Sequence, residues 1–111
     1  MPMQSMAGVP GTLFQKWMHS FEEDSGDVKV YRPEGYSFPR ARGRAGIEFH
    51  ADGTLTEWRI GRGDAPTGVQ GRWQLKGPNE IRASFTSDPA SAPFTLVIVE
   101  CTDQILKVKR R

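Results

Sequence analysis

The residues best suited to chemistry lie in one unusual segment, YRPEGYSFPRARGR, at 31–44. It combines two tyrosines, one phenylalanine and four arginines with a single glutamate. Arginine forks bind carboxylate or phosphate through paired hydrogen bonds, and aromatic side chains can wall a ligand. The segment joins two predicted strands and is too long for a plain hairpin, which is typical of loops that carry function.

Two interpretations of this segment are open. In the first, it covers the mouth of a barrel and fixes an anionic head group. The candidate ligand-binding residues, which include two tryptophans further along the chain, are Tyr31, Arg32, Tyr36, Phe38, Arg40, Arg42, Trp58 and Trp73. In the second, Tyr36, Phe38 and Pro39 pack down to close the barrel, and the arginines are solvated or paired with the acidic run 22–24.

Histidine and cysteine supply few candidates for catalysis. His19 and His50 are the only histidines, and their spacing matches no ligand motif such as HxH or HExxH. The single cysteine, Cys101, ends an apolar run and excludes an internal disulfide. We therefore expect no metal, no cofactor and no catalytic residue.

The composition fits one globular domain. A chain of 111 residues can bury a core of its own, and a net charge of +2 is too small for charge alone to argue nucleic-acid binding. Residues 1–10 lack the regions of a secretory signal, and no apolar run reaches the length of a membrane span. We expect a flexible tail at 1–10, one domain over 11–111, a cytoplasmic location, and no nucleic-acid or membrane partner.

Alternating hydrophobicity predicts seven strands after residue 27. They are 28–31, 44–50, 54–60, 69–75, 80–85, 94–101 and 104–110. No helical period appears in this part of the chain, so parallel crossovers are not expected. An all-β fold follows, an antiparallel up-and-down meander closed into a small barrel, since closure removes exposed strand edges.

The stretch GTLFQKWMHSFEED, at 11–24, fits two structures. Its apolar residues recur at helical spacing, but Leu13, Trp17, His19 and Phe21 also share one face of a strand. Trp, His, Ser and Phe are indifferent helix formers. We favour the strand, which is the eighth, and eight strands suit a small up-and-down barrel.

The register of one hairpin decides which side chains face inward. Asp-Gly at 52–53 predicts a two-residue turn, in which Ile47 opposes Trp58. Trp58 then faces the interior, and Glu57 and Arg59 face outward. In the other register these two charges lie inside, where each needs a partner. The inner face predicted from the two-residue turn holds Trp17, Phe21, Ile47, Phe49, Trp58, Trp73, Leu75 and Phe85.

This pattern resembles the lipocalin-like, or calycin, barrels. In that superfamily a tryptophan on the first strand, shortly after a glycine, packs near one end of the barrel, and a basic residue near the C-terminus lies across it. Here Trp17 follows Gly11 at more than the usual spacing, and GRW at 71–73 has the motif's form in mid-chain. Lys109 or Arg110 is the candidate basic residue. The stretches WMHSFEED and VYRPEGYSFPRARGR also resemble small bacterial proteins.

Three functions remain open for such a barrel, because eight strands enclose either a filled core or one small ligand. The first is binding of a small apolar or amphipathic molecule, which includes anions, with the arginine-rich segment at the mouth. The second is a filled barrel that acts by protein–protein contact or as a homodimer. The third is a small lipocalin-like enzyme, for which Tyr31, His19 and the loop arginines are the only candidates. We expect a binding protein rather than an enzyme.

Overall fold

The computed structural model describes residues 11–41, 43–60, 67–88 and 90–111. The strands are β1 (Lys16–His19), β2 (Val28–Pro33), β3 (Gly46–Phe49), β4 (Thr54–Arg59), β5 (Thr67–Gly77), β6 (Glu80–Phe85), β7 (Phe94–Cys101) and β8 (Leu106–Arg110). Two short 3-10 helices span Gly11–Leu13 and Phe21–Glu23. The seven later strands are confirmed, and the opening stretch is a strand flanked by 3-10 turns. The predicted tail at 1–10 lies outside the described residues.

The eight strands form one closed barrel in the order β1-β2-β8-β7-β6-β5-β4-β3, and every neighbouring pair is antiparallel. The predicted all-β antiparallel barrel is therefore confirmed. One connection departs from sequential order, because β1 lies between β2 and β3. The segment that joins β2 to β3, of which residues 34–41 and 43–45 are described, therefore crosses the outside of β1. We call this segment the strap.

Strand alternation produces the inner and outer faces of the barrel, as β6 shows. Ile81, Ala83 and Phe85 are buried, whereas Arg82 and Ser84 between them are exposed. Successive side chains of a strand point to opposite faces. Apolar residues at every second position therefore form the buried inner face, and the residues between them form the exposed outer face. The same rule applies to β5, where the buried positions also alternate.

The middle of the barrel is a packed core. Trp17, Leu55, Ile81, Ala83 and Leu106 come from four different strands, and each is 0% exposed. A water-sized sphere touches none of their surface, so these side chains line no cavity large enough for a ligand. Close packing of this kind is typical of protein interiors and of eight-stranded barrels filled by side chains.

One end of the barrel is closed by the residues before β1. Leu13 is buried, and its carbonyl oxygen accepts a hydrogen bond of 3.0 Å from the indole Nε1 of Trp17. The ring of Phe14 lies against Trp73, with 5.9 Å between ring centres. The indole Nε1 of Trp73 in turn donates to the carbonyl oxygen of His50 at 2.9 Å. Both buried indoles thus have acceptors, and the described residues cover this end of the barrel.

The predicted register of the hairpin between β3 and β4 is wrong by one residue. Phe49 pairs with Leu55, so the loop has three residues rather than two. Gly53 adopts a left-handed φ of 92°, and Oδ1 of Asp52 accepts from the backbone N–H and the hydroxyl of Thr54 at 3.0 and 2.7 Å. This side-chain turn favours the longer loop. A slip of one residue exchanges the two faces of a strand.

The shift in register reverses the predicted orientations on β4. Trp58 lies on the outer wall, where the ammonium group of Lys16 sits 4.2 Å from its ring centre. Glu57 faces inward instead, opposite Ile47. Phe21 is also not an inner residue, because it lies in the 3-10 helix after β1 and is 46% exposed.

Candidate functional site

The end of the barrel opposite the closed one is polar, and Glu57 is its centre. This carboxylate is brought inside by the register of β4, and its side chain is only 10% exposed. A buried carboxylate needs compensating donors. Its Oε1 accepts from Nε of Arg59 at 3.0 Å, and its Oε2 accepts from Nη1 of Arg110 at 2.9 Å. We call the cluster of Glu57, Arg59 and Arg110 the polar end.

Both arginines are held on aromatic rings. The guanidinium of Arg59 lies 4.6 Å from the ring centre of Phe85, and that of Arg110 lies 3.8 Å from the ring centre of Phe94. A cation this close to the centre of an aromatic ring is attracted by its electron-rich face, and arginine makes such contacts more often than lysine. The two rings are themselves in contact, with 5.5 Å between their centres. The guanidinium groups of Arg59 and Arg110 therefore lie beside each other on one apolar surface formed by the two rings.

A second set of bonds holds Arg59. Its Nη1 donates to Oδ2 of Asp88 at 3.1 Å and to the hydroxyl of Ser91 at 2.9 Å. The same hydroxyl donates to Oδ2 of Asp88 at 2.6 Å, and these hydrogen bonds lower the pKa of Asp88. The loop between β6 and β7 thus fixes the arginine from the solvent side.

A cavity of about 340 Å³ opens at this end. Its lining residues are Ala45, Glu57, Trp58, Arg59, Ile60 and Arg110. The side chains of the two arginines remain 34% and 36% exposed. Among bonds between described residues, Nη2 of Arg59 and both Nε and Nη2 of Arg110 donate to no acceptor. The arrangement can therefore offer charged N–H groups to an anion.

Tyr31 borders the polar end from β2. Burial raises the pKa of its phenol to about 12, Glu57 and Asp24 act in the same direction, and Arg110 opposes them. Its ring lies against His19, with 5.1 Å between ring centres. Nε2 of His19 contacts Oδ2 of Asp24 at 2.9 Å, and Oδ1 of the same carboxylate accepts from the backbone N–H of Val30 at 2.8 Å. Tyr31 is therefore a neutral phenol near neutral pH.

The raised pKa of Tyr31 predicts a loss of stability at alkaline pH. Its folded value of about 12 lies above the ordinary value of 10.0, so the unfolded chain releases this proton first. The free energy of unfolding should then fall as pH rises from about 10 to about 12. Urea midpoints measured at about pH 8 and about pH 11 should differ less in Tyr31→Phe than in the parent chain. The exposed Tyr36, changed to Phe, is the control, and an equal decline in both variants would contradict the assignment.

The arginines of segment 31–44 lie away from the polar end. Arg32 donates from Nε and Nη2 to Glu23 at 2.9 and 2.7 Å, and its guanidinium lies 4.8 Å from the ring centre of Tyr36. This pairing and the hydroxyl of Ser20 lower the pKa of Glu23 to about 2. Arg40 is exposed, and Arg42 lies outside the described residues.

Arg44 anchors the strap. Its Nη1 and Nη2 donate to the carboxylate of Glu22 at 2.8 and 2.6 Å, and they also reach the carbonyl oxygens of His19 at 3.0 Å and Pro39 at 2.7 Å. Its guanidinium lies between the rings of Phe21 and Phe38, at 4.7 and 4.4 Å from their centres. The residue is 8% exposed. This arginine holds the strap against β1 and is largely shielded from solvent.

The structure does not bring the predicted site residues together. Arg32, Tyr36, Phe38 and Arg40 belong to β2 or the strap, Trp58 lies on the outer wall, and Trp73 packs at the closed end. Of the predicted site residues, Tyr31 borders the polar end, and Trp58 lines its cavity from the outer wall. The C-terminal cation expected across a tryptophan is Arg110, which lies across Phe94 instead.

Sequence reasoning missed Glu57, Arg59 and Arg110 as a group. The signal available was the second register of the hairpin, which places two charges of β4 inside and so requires a partner for them. Nothing local identified Arg110, because it reaches Glu57 from the far end of the chain.

No protein-family model, no curated protein and no solved structure matches this chain. The fold and the site define its class as a closed, eight-stranded antiparallel β-barrel with a filled middle and one arginine-bearing end. In the described ranges, no three His, Cys, Asp or Glu side chains are placed to hold a metal ion. The helices of the described chain include none with the length and apolar character needed to cross a bilayer.

Proposed function

We propose that this protein is a lipocalin-like barrel that binds a small amphipathic anion at the polar end. The observation that carries the proposal is the position of Glu57, whose two oxygens each accept from a different arginine at the mouth of a cavity of about 340 Å³. One carboxylate thereby holds two guanidinium groups side by side before any ligand arrives. Groups ordered in advance lose less entropy on binding.

The cavity offers separate surfaces to the two parts of such a ligand. An anionic head group can accept from the remaining N–H groups of Arg59 and Arg110, and arginine forks suit carboxylate, sulfonate or phosphate oxygens. The apolar part can lie on Trp58 and on Ile60, which is 56% exposed. The ligand stays at the rim of the barrel, because the core beneath the cavity is packed. We place the site in the cavity rather than at the strap because the cavity offers both charged N–H groups and apolar side chains.

Dye binding tests the proposal. The probe is anilinonaphthalene sulfonate, an aromatic anion whose fluorescence rises in apolar surroundings, and the competitors are octanoate and its neutral analogue octanol. Octanoate should displace the dye at lower concentration than octanol. Arg110→Gln should weaken dye binding about tenfold, the effect of losing one charge-assisted hydrogen bond.

The neighbouring residue provides the matched control. Lys109→Gln removes the same charge from an exposed side chain one position away and should leave dye binding unchanged. Arg40→Gln decides between the polar end and the strap, and we expect it to have no effect either. Thermal melts of each variant show whether the fold is retained. Equal dye affinity in Arg110→Gln and the parent chain, with the fold intact, would refute the proposal.

A further inference from the structure

The outer wall formed by β5, β6 and β7 carries a polar groove of about 630 Å³. Its floor is made by outward side chains that include Arg72, Gln74, Lys76, Arg82, Ser84 and Thr95. They face outward because the alternate positions of the same strands supply the core. β6 lies opposite β1 in the ring of eight strands, so the groove and the strap are on opposite sides of the barrel.

Positive charge is concentrated in this groove. Arg72, Lys76 and Arg82 form no ion pair with any acid in the described part of the chain. The one carboxylate of the lining, Glu80, accepts from Arg111 at 3.2 Å. The whole chain has a net charge of only +2, so three cations on one wall mark a distinct surface. Such a surface attracts acidic partners by charge complementarity.

The cations are spaced like alternate side chains of an extended peptide. Arg82 pairs with Gln74, Arg72 lies two residues before Gln74 on β5, and Lys76 lies two residues after it, where the register shifts between Leu75 and Gly77. Diagonal neighbours on adjacent strands are about 7–8 Å apart. Side chains on one face of an extended chain repeat at about 6.8 Å. A segment with Asp or Glu at every second position can therefore place one carboxylate near each cation.

The rest of the lining favours a peptide over a nucleic acid. Binding of single-stranded nucleic acid relies on aromatic side chains that stack on the bases, and the described residues contribute none to the groove lining. It contains instead the amide of Gln74 and the hydroxyls of Ser84 and Thr95, which can bond the peptide groups of an extended chain. The barrel is closed, so a partner strand has no edge to join and must be recognised through these side chains.

We propose that this outer wall binds an extended acidic segment of a partner protein. The proposal is independent of the ligand site at the polar end. Its test uses a fluorescein-labelled peptide of alternating glutamate and serine, with binding followed by fluorescence anisotropy at low ionic strength. The double variant Arg72→Gln/Arg82→Gln should weaken binding about tenfold, since each exposed charge pair contributes little by itself.

The control variant, Arg40→Gln/Lys109→Gln, removes the same total charge from exposed positions elsewhere and should change peptide affinity less than about twofold. An equal loss in both double variants would show attraction by net charge alone and overturn the proposal.

Tighter binding of an oligothymidylate of equal charge would assign the wall to nucleic acid and overturn it too. A dimer in native mass spectrometry that Arg82→Glu converts to monomer would instead identify a second copy as the occupant. Circular dichroism spectra and thermal melts that match those of the parent chain show that the fold of the groove variant is intact.

Discussion

Trp17→Ala should lower the free energy of unfolding by about 3–5 kcal/mol, the range for truncating a buried aromatic side chain. Trp17 is 0% exposed, and its indole donates to the carbonyl oxygen of Leu13. The substitution leaves a large cavity and an unpaired carbonyl acceptor at the closed end. The surrounding strands are held in a closed barrel and cannot move inward far enough to fill the cavity. Urea unfolding followed by circular dichroism measures the loss.

Trp58→Ala is the matched control, because the same side chain is removed from the opposite face of the sheet. Trp58 is half-buried on the outer wall beside Lys16, so we expect a loss of less than about 2 kcal/mol. Losses of equal size in the two variants would mean that Trp58 points inward. The two-residue hairpin, and not the observed three-residue loop, would then be correct.

Gly71→Ala should destabilise the barrel by about 3 kcal/mol, the upper part of the range for overpacking. A Cβ atom at this position would clash with the carbonyl oxygen of Ser84 and lie 3.3 Å from Cα of Phe85. Those atoms belong to the backbone of β6, which cannot rotate away as a side chain can. Strands β5 and β6 would have to separate locally. Thermal melts or urea midpoints measure the effect.

Gly68→Ala on the same strand is the comparison. The added Cβ would meet the indole Nε1 of Trp58 at 3.5 Å, which is ordinary van der Waals contact. We expect stability within about 0.5 kcal/mol of the parent chain, since alanine also restricts the unfolded state. If both variants melt with the parent chain, the close approach of β6 to Gly71 is not present in solution. The glycine of GRW at 71–73 would then not be explained by close packing against β6.

The strands of this barrel are predictable because their signal is local. In β6 every second residue is apolar, and each of these is buried. Register is harder, because Asp-Gly at 52–53 is compatible with turns of two or three residues, and the side-chain bonds from Asp52 to Thr54 decide between them. Strand neighbours are harder still. Chain order suggests that β2 pairs with β3, and only the length of segment 31–44 indicated another path.

The site was difficult to predict because it also depends on contacts between distant parts of the chain. Its central contact joins Glu57 to Arg110, and no local pattern connects two residues so far apart in the chain. The arginines that composition made conspicuous have nearby acids: Arg32 pairs with Glu23, and Arg44 pairs with Glu22. Both acids belong to the run 22–24 that the packing interpretation of the segment offered as partners, without naming the individual pairs. Composition identifies charges, whereas burial and partners decide whether a charge is available to a ligand.

The pairing of β8 with β2 has a consequence for how the protein folds. Val28 pairs with Lys109, and Tyr31 pairs with Leu106, so the last seam of the ring joins strands from opposite ends of the described chain. Such non-local pairing raises the contact order, and high contact order slows folding to milliseconds or seconds. An intermediate that lacks this seam would expose two unsatisfied strand edges, which are templates for aggregation. Fast pairing of β2 with β8 therefore shortens the time for which these two edges are exposed to self-association.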